Sequence, residues 1–297
     1  MIFPRKNWGN LSLIIDIGQN KRKSFVSGLL FWTTALGGQF MARPNDIGTH
    51  RETFSSVENE HLRKLAFEAL HLLSKDESPL EGHHYLKAIH HSAVFGSDEV
   101  WSKLVHGQTS NSKWLETIIP GVAELLGQDW LEDRLSFAQV TLATARLQQA
   151  ARASAARQRK EFFAAEARPS ALIIVPSSCD HTLGAVTMAA LLLERGINAI
   201  TMIRAKQADA LQRVATHDFD AVFLSWSYPE TLENAQNWIV KMRDLVEGPT
   251  RFGVGGSIFN HQPDHVVAGA DLYGNEIEDA AQLCRTSFEI RTNNPQV

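Results

Sequence analysis

The sequence contains few cysteines and no excess of basic residues, and these two deficits exclude several classes of protein. Cys179 and Cys284 are the two cysteines among 297 residues, too few for a disulfide scaffold or a zinc-finger ligand set. Two isolated cysteines fit a reducing cytoplasm, which is the location we predict. The formal net charge of −4 does not favour sequence-specific nucleic-acid binding, because nucleic-acid binders usually present a basic face.

The short motifs of several common enzyme classes are also missing. The sequence has no Gly-x-Gly-x-x-Gly, phosphate-binding loop, nucleophile elbow or zinc-protease motif. A histidine-rich run is present instead, at His83, His84, His90 and His91. Residues seven apart on a helix are separated by about 10 Å along its axis, so we interpret this run as a solvated helix face rather than a metal site. We predict no catalytic residue.

The N-terminal segment differs in composition from the rest of the chain. A basic cluster at 21–23 precedes an uncharged stretch over 24–42, a pattern that a signal peptide or a short membrane segment also shows. Gly37-Gly38 and the lack of an Ala-x-Ala cleavage pattern argue against both. We predict a weakly ordered extension over 1–54, and no association with a membrane.

Residues 55–168 are predicted to form a helical bundle. A capping-box spacing at 55–58 is followed by apolar residues at three- and four-residue intervals. Further helices are expected over 80–91, from about 97, over 112–126 with Gly127 as the stop signal, and from Ser136 to about 161. Arg168-Pro169-Ser170 marks the end of the bundle, since proline ends helices and serine favours turns.

Residues 169–290 alternate between strand-like and helix-like patterns, and 291–297 form a predicted tail. The strands are predicted over 171–176, 197–203, 220–225, 250–254 and 269–273. The helices are predicted over 183–195, 206–216, 230–246, 262–268 and 276–287. Five such units predict an α/β fold with a flavodoxin-like, doubly wound sheet of five parallel strands, which follows the N-terminal helical bundle.

Three short motifs follow the first, third and fourth predicted strands. They are His181-Thr182-Leu183-Gly184, Ser225-Trp226-Ser227 and Gly255-Gly256. In a doubly wound sheet, ligands bind outside the carboxyl ends of the strands, where the strand order reverses. The sequence therefore predicts that an imidazole, two hydroxyls and a Gly-Gly gap converge on one crevice.

These motifs resemble the signature of the cobalamin-binding domain of methionine synthase and methylmalonyl-CoA mutase, in which Asp-x-His-x-x-Gly precedes Ser-x-Leu and Gly-Gly. The resemblance covers about 55–290 and implies that the chain binds cobalamin, with His181 as the lower ligand of cobalt. The displaced nucleotide tail would then enter the crevice of the sheet. The residues implied to contact the cofactor there are His181, Thr182, Gly184, Ser225, Ser227, Gly255 and Gly256.

Two positions depart from that signature. Cys179 stands where the family has aspartate, and Ser227 stands where it has leucine. A thiol is a weak hydrogen-bond donor and a poor substitute for a carboxylate. The relay through which an aspartate tunes the basicity of the ligating histidine is therefore expected to be absent or altered, which favours binding over catalysis.

The helical half resembles the bundle that covers the upper face of cobalamin in photosensory regulators. Trp130 matches a tryptophan of those proteins and is implied to contact the cofactor, while Val140-Thr141 replace their Glu-His pair. Residues 129–148 and 180–185 are most similar to cobalamin-binding antirepressors of photosynthesis genes in purple bacteria, of the AerR/PpaA type. This resemblance implies a light-responsive regulator that carries hydroxocobalamin or adenosylcobalamin and binds a transcriptional repressor of the CrtJ/PpsR type.

Two alternatives share the crevice. A corrinoid carrier of a cobalamin-dependent methyltransferase system would use the same fold and ligand. A haem sensor could use a similar histidine, although Ser225 and the Gly255-Gly256 pair have no obvious use for haem.

Overall fold

The computed structural model describes residues 79–108, 113–162, 167–227, 231–261 and 266–293. The predicted extension over 1–54 and the capping box at 55–58 lie outside the described residues. A boundary between two compact units falls after Ile89. Apart from the first residues of the first helix, the elements below belong to the unit that contains His90–Val297.

Helices occupy the described chain before the sheet, close to their predicted positions. Helix α1 spans Pro79–Phe95, α2 spans Asp98–Gln108, α3 spans Ile119–Leu131 directly after a π-helical segment Trp114–Ile118, and α4 spans Phe137–Phe162. Helix α4 begins with a capping box, because Ser136 N donates to Gln139 Oε1 at 2.8 Å while Gln139 N donates to Ser136 Oγ at 3.3 Å. Its buried face includes the small and apolar residues Ala143, Leu147, Ala150 and Ala151.

The predicted stop at Gly127 is wrong, because α3 continues through this glycine to Leu131. A glycine costs a helix only about 1 kcal/mol relative to alanine, and Gly127 lies on the buried face of α3. The chain turns instead at Asp133, whose φ is +58°. Aspartate tolerates this left-handed conformation better than most residues.

The sheet has five parallel strands in the order β2-β1-β3-β4-β5. The strands are β1 Ser170–Pro176, β2 Asn198–Ala205, β3 Ala221–Ser225, β4 Arg251–Gly255 and β5 Leu272–Tyr273. This topology confirms the predicted flavodoxin-like α/β fold. The strand order reverses between β1 and β3, which is where such sheets bind ligands.

The strands are connected by helices that cover both faces of the sheet. They are α5 Leu183–Glu194, α6 Gln207–Thr216, α7 Leu232–Arg243, α8 Ile258–His261 and α9 Ile277–Asn293. Side chains alternate along β1, so that Leu172 and Ile174 enter one buried cluster while Ile173 and Val175 enter the other. Near-continuous burial of this kind is typical of parallel strands.

Two predicted elements near the C-terminal end of the sheet differ from the structure. The helix predicted over 262–268 is wrong at 266–268, which is not helical, and 262–265 lie outside the described residues. Gly269, with φ +83°, ends a turn in which Ala270 N donates to Val267 O at 3.0 Å. The turn also shortens the strand predicted over 269–273 to Leu272–Tyr273.

Helix α9 extends into the predicted tail and ends at Asn293. Its last turn is held by Arg291, whose guanidinium donates to both carboxylate oxygens of Asp220 at 2.9 and 3.0 Å. Asp220 is buried, so this bidentate contact compensates a charge removed from water. Among the described residues, none of the helices has the length and apolar character that a membrane span requires.

Candidate functional site

A crevice opens at the carboxyl ends of β1, β3 and β4. This is the edge of a doubly wound sheet at which ligands bind. The structure brings most of the predicted contact residues together here, namely His181, Thr182, Gly184, Ser225, Ser227, Gly255 and Gly256. The predicted convergence of the three motifs is therefore observed.

Trp130 is not among the residues that line this crevice. It lies in the last turn of α3 and is partly exposed, and its contact with a cofactor stays a prediction. The helical half instead reaches the crevice through Thr144 and Gln148 of α4. The sequence interpretation had not singled out either side chain.

The loop between β1 and α5 carries His181 and is anchored by Cys179. The Cys179 side chain is buried, and its thiol donates to Ser227 O with an Sγ–O distance of 3.6 Å. Cys179 N also donates to Pro176 O at 3.0 Å. The thiol at the predicted aspartate position therefore connects the loop after β1 to the loop after β3. His181 itself is partly exposed and lines the crevice.

Thr182 joins the same loop to the helical half. It occupies the N-cap position of α5, but its side chain makes no capping hydrogen bond. Its Oγ1 instead accepts a hydrogen bond from Gln148 Nε2 at 2.8 Å. The residue next to His181 is therefore in direct contact with α4.

The glycines of the motifs occupy two different environments. A Cβ added to Gly184 would meet no atom within 4 Å, so the first turn of α5 borders open space. Gly256 has φ +112°, and a Cβ there would lie 2.2 Å from Trp226 O. A Cβ on Gly255 would lie 2.8 Å from Gly274 O. The Gly-Gly pair is thus required by the close approach of neighbouring protein backbone.

The Ser225-Trp226-Ser227 segment divides its side chains between the core and the crevice. Trp226 is buried in the core, donates from Nε1 to Thr231 O at 2.8 Å and packs edge-on against Trp238, with ring centroids 5.6 Å apart. Ser225 is paired with Gly255 in the sheet and lines the crevice. Alternation along the extended chain explains why the serines and the tryptophan separate.

Two hydroxyl groups at the crevice are buried. Ser227 is 3% exposed and Ser257 is 1% exposed, and both residues line the crevice. Among the described residues, neither hydroxyl oxygen has a hydrogen-bond partner. A buried hydroxyl without a partner costs free energy. Each of these two hydroxyls is therefore suited to donate a hydrogen bond to a ligand or to accept one from it.

Asn275 is a further crevice residue that the sequence interpretation missed. Its Oδ1 accepts from Gly256 N at 2.7 Å, and its Nδ2 donates to Gly256 O at 3.3 Å. It therefore fixes both polar groups of the Gly256 backbone. The sequence offered one signal, a Gly-Asn pair directly after the last strand, which is typical of turns.

The histidine-rich run is only partly the solvated face that the sequence predicted. His84 is exposed, but His90 and His91 are partly buried, and burial lowers the pKa of both. His90 Nε2 lies 3.1 Å from Asp129 Oδ2. Among the described residues, no group of three or more His, Cys, Asp or Glu side chains could hold a metal ion.

Ionic contacts also join the two halves of this unit near α5. Arg195, at the end of α5, donates to Glu116 at 3.0 Å and to Glu278 of α9 at 2.8 Å. Arg159 of α4 donates to Ala199 O of β2 at 2.7 Å. Burial raises the pKa of the neighbouring Glu194, against the effects of a hydrogen bond with Gln158 and of the Arg195 charge.

Comparison with known sequences identifies one informative relative. No protein-family model matches the chain. An uncharacterized 20.5 kDa protein in the bchF-crtJ intergenic region of Rhodobacter capsulatus is 30% identical over 160 residues, which cover 54% of this chain and 83% of the relative. The chain belongs to the family of this protein. The relative is itself uncharacterized, so membership in this family assigns no function.

Solved structures agree with the fold assignment. The monomethylamine corrinoid protein of Methanosarcina barkeri superimposes with a TM-score of 0.50 at 15% identity, over 67% of this chain and 93% of that one. A cobalamin-binding protein from Desulfitobacterium hafniense matches with a TM-score of 0.34 at 15% identity. The match covers 68% of this chain and 98% of that protein. The first likeness shows that this member of the family shares the fold of a corrinoid protein, and the second is too distant to carry an argument.

Proposed function

We propose that the chain binds a cobalamin in the crevice, with His181 as a ligand of its cobalt and the nucleotide tail between the loops that follow β1, β3 and β4. The observation that carries the proposal is the presence in one crevice of an imidazole and of two buried hydroxyls that have no hydrogen-bond partner among the described residues. When bound, the corrin would supply a cobalt centre whose upper ligand is exchanged or cleaved by light.

The residues present fit such a cofactor. Open space beside Gly184 leaves room for a ligand next to His181. The floor of the crevice is apolar, as a site for a flat aromatic base requires; its residues include Ile173, Phe223, Leu224, Val254 and Leu272. Polar side chains line the rest of the crevice: Thr144, Gln148, Asp180, His181, Thr182, Ser225, Ser227, Ser257, Asn275 and Glu276. Cofactor sites commonly combine an apolar surface with placed polar groups in this way.

The proposed role of the bound cofactor is regulatory. We propose a light-responsive antirepressor that binds a CrtJ/PpsR-type repressor. The location of the Rhodobacter capsulatus relative, between bchF and crtJ, supports this partner. The hydrogen bond between Gln148 and Thr182 supports a route from the His181 loop to α4. A light-responsive regulator needs contacts that differ between its dark and illuminated states. We propose that the hydrogen bond between Gln148 and Thr182 is one of them, because Thr182 is next to His181.

The environment of Cys179 favours binding over catalysis. The Cys179 thiol is hydrogen-bonded to Ser227 O, so the position that holds a carboxylate in the resembled signature here holds a weak donor to the backbone. A protonated thiol carries no negative charge, so it cannot raise the basicity of an imidazole as a carboxylate does. The chain is therefore proposed to hold the cofactor without transforming a substrate.

A corrinoid carrier in a methyltransferase system is the second candidate. The observation in its favour is the fold shared with the Methanosarcina barkeri monomethylamine corrinoid protein, 93% of which is covered. A carrier would deliver a methyl group to an acceptor, whereas a regulator would not. Methyl transfer from the chain loaded with methylcobalamin to a thiol or amine acceptor, in the presence of a partner methyltransferase, would support the carrier.

The affinity of the cobalamin-loaded chain for a purified CrtJ/PpsR-type repressor, in the dark and after illumination, tests the regulatory proposal. We expect illumination to change the dissociation constant for the loaded wild type and to leave that of the cofactor-free chain unchanged. Loaded His181→Ala should lose the light response, and loaded His217→Ala, a change at an exposed histidine outside the crevice, should retain it. Equal affinities in the dark and in the light would rule out this role.

A further inference from the structure

Two serine residues that line the crevice have buried hydroxyls. Ser227 and Ser257 are at least nine-tenths buried, and the oxygen of each is shielded from solvent and without a hydrogen-bond partner among the described residues. By contrast, the buried Ser287 on α9 donates to Pro249 O at 2.6 Å. Most buried hydroxyls in proteins have a hydrogen-bond partner, as Ser287 does. The two hydroxyls at the crevice therefore require an explanation.

The loops that carry these serines are tied to each other. Trp226 N donates to Gly255 O at 2.7 Å, and Ile258 N donates to Trp226 O at 3.4 Å. The buried Trp226 ring and the thiol of Cys179, which donates to Ser227 O, hold the first loop from both sides. These contacts hold the two loops together beside the crevice.

From this arrangement we infer that Ser227 and Ser257 form a polar subsite that selects the lower base of the cobamide. The subsite favours a base with a hydrogen-bonding edge, of the purine type, over the dimethylbenzimidazole of cobalamin, whose outer edge carries two methyl groups. The inference rests on the proposed function, because it requires the nucleotide tail to enter the crevice.

The hydroxyls of both serines are already removed from water before a ligand binds. A new hydrogen bond therefore costs no further desolvation on the protein side. A methyl group placed against them gains contact area but leaves both hydroxyls unpaired. Sites built to form hydrogen bonds discriminate against analogues that lack the polar group for this reason. One net hydrogen bond of ordinary strength corresponds to a preference of about tenfold.

Binding of three corrinoids to the full chain tests the inference. The ligands are a cobamide with adenine as its lower base, cobalamin, and cobinamide, which has no base, and dissociation constants are measured by absorbance titration. We expect the wild type to bind the adenine cobamide about tenfold more tightly than cobalamin. Ser227→Ala and Ser257→Ala should each reduce this ratio, and the double variant should abolish it. Cobinamide should bind the wild type and the three variants with equal affinity. Equal affinity would show that the variants are folded.

Ser287→Ala is the matched control, because it removes a buried serine hydroxyl that lies outside the crevice. It should keep the wild-type ratio. Equal binding of the adenine cobamide and cobalamin by the wild type, or a preference that survives in the double variant, overturns the inference while leaving cobalamin binding intact. If none of the three corrinoids binds, the proposed function itself fails, and with it this inference.

Discussion

Gln148 Nε2 donates a 2.8 Å hydrogen bond to Oγ1 of Thr182, the residue that follows His181. The carbonyl oxygen of the same glutamine side chain lies 3.5 Å from a guanidinium nitrogen of Arg152, one turn further along α4. Helix α4 is therefore in contact with the loop that carries the proposed cobalt ligand. A change in the position of this loop would alter a specific hydrogen bond to the helical half.

We predict that Gln148→Ala lowers the free energy of unfolding by about 1 kcal/mol, because it removes one partly buried hydrogen bond. It should also diminish the light-dependent change in repressor affinity that we propose. Denaturant unfolding and a binding titration measure the two effects. Gln149→Ala, at the exposed neighbouring position of α4, should change neither quantity. An unaltered light response in Gln148→Ala would show that this hydrogen bond does not couple the two halves.

We predict that Gly184→Ala preserves stability but weakens cofactor binding about tenfold. A Cβ at Gly184 meets no protein atom within 4 Å, so the folded chain accommodates it, while the same methyl group narrows the crevice beside His181. Overpacking a tight site by one methyl group costs roughly 1–3 kcal/mol. Thermal unfolding and corrinoid titration separate the two effects.

The control for this prediction is Gly248→Ala, at an exposed glycine where a Cβ also has open space. It should bind the corrinoid like the wild type. Wild-type affinity in Gly184→Ala would mean that the ligand does not approach the start of α5.

Unlike Gly184→Ala, Gly256→Ala should destabilise the folded chain. The added Cβ would lie 2.2 Å from Trp226 O, at a φ of +112° that other residues rarely adopt. Strain of this kind and the clash with backbone should cost at least about 2 kcal/mol of unfolding free energy. Urea unfolding of the cofactor-free chain provides the measurement. A variant as stable as the wild type would contradict the close approach of the two loops.

Ser227→Ala and Ser257→Ala should not destabilise the cofactor-free chain, because each removes a hydroxyl that has no hydrogen-bond partner in the described part of the chain. Ser287→Ala should cost about 1 kcal/mol, since its hydroxyl is hydrogen-bonded to Pro249 O. Calorimetry on the three cofactor-free variants makes the comparison. If the two crevice variants lose as much stability as Ser287→Ala, their hydroxyls have partners in solution.

The fold could be predicted from the sequence because its strongest signals are local and periodic. Apolar runs such as 171–176 are long enough to identify strands, and Ser136 with Gln139 forms a readable helix start. The stop at Gly127 was predicted wrongly because burial on the inner face of α3 outweighs the weak helix propensity of glycine. The turn at Gly269 escaped prediction because 266–268, directly before it, are apolar.

The crevice could be predicted only where a motif lies at the end of a strand or in the loop after it. Ser225 and Gly255 end β3 and β4, and His181 lies in the loop after β1. Ser257 carries no recognisable motif, and Asn275 carries only the turn signal of a Gly-Asn pair. The importance of Ser257 depends on burial, and that of Asn275 depends on hydrogen bonds to a loop distant in sequence. The structural reason for Gly256, its approach to Trp226 O, likewise depends on tertiary packing.

The most direct test of the account is the absorption spectrum of the chain reconstituted with hydroxocobalamin, compared between wild type and His181→Ala. His217→Ala, at an exposed histidine outside the crevice, serves as the control. We predict that the corrinoid binds the wild type and that its spectrum shifts in His181→Ala alone, because an imidazole ligand of cobalt has been lost. An identical spectrum in His181→Ala and wild type, or no bound corrinoid in the wild type, would contradict it.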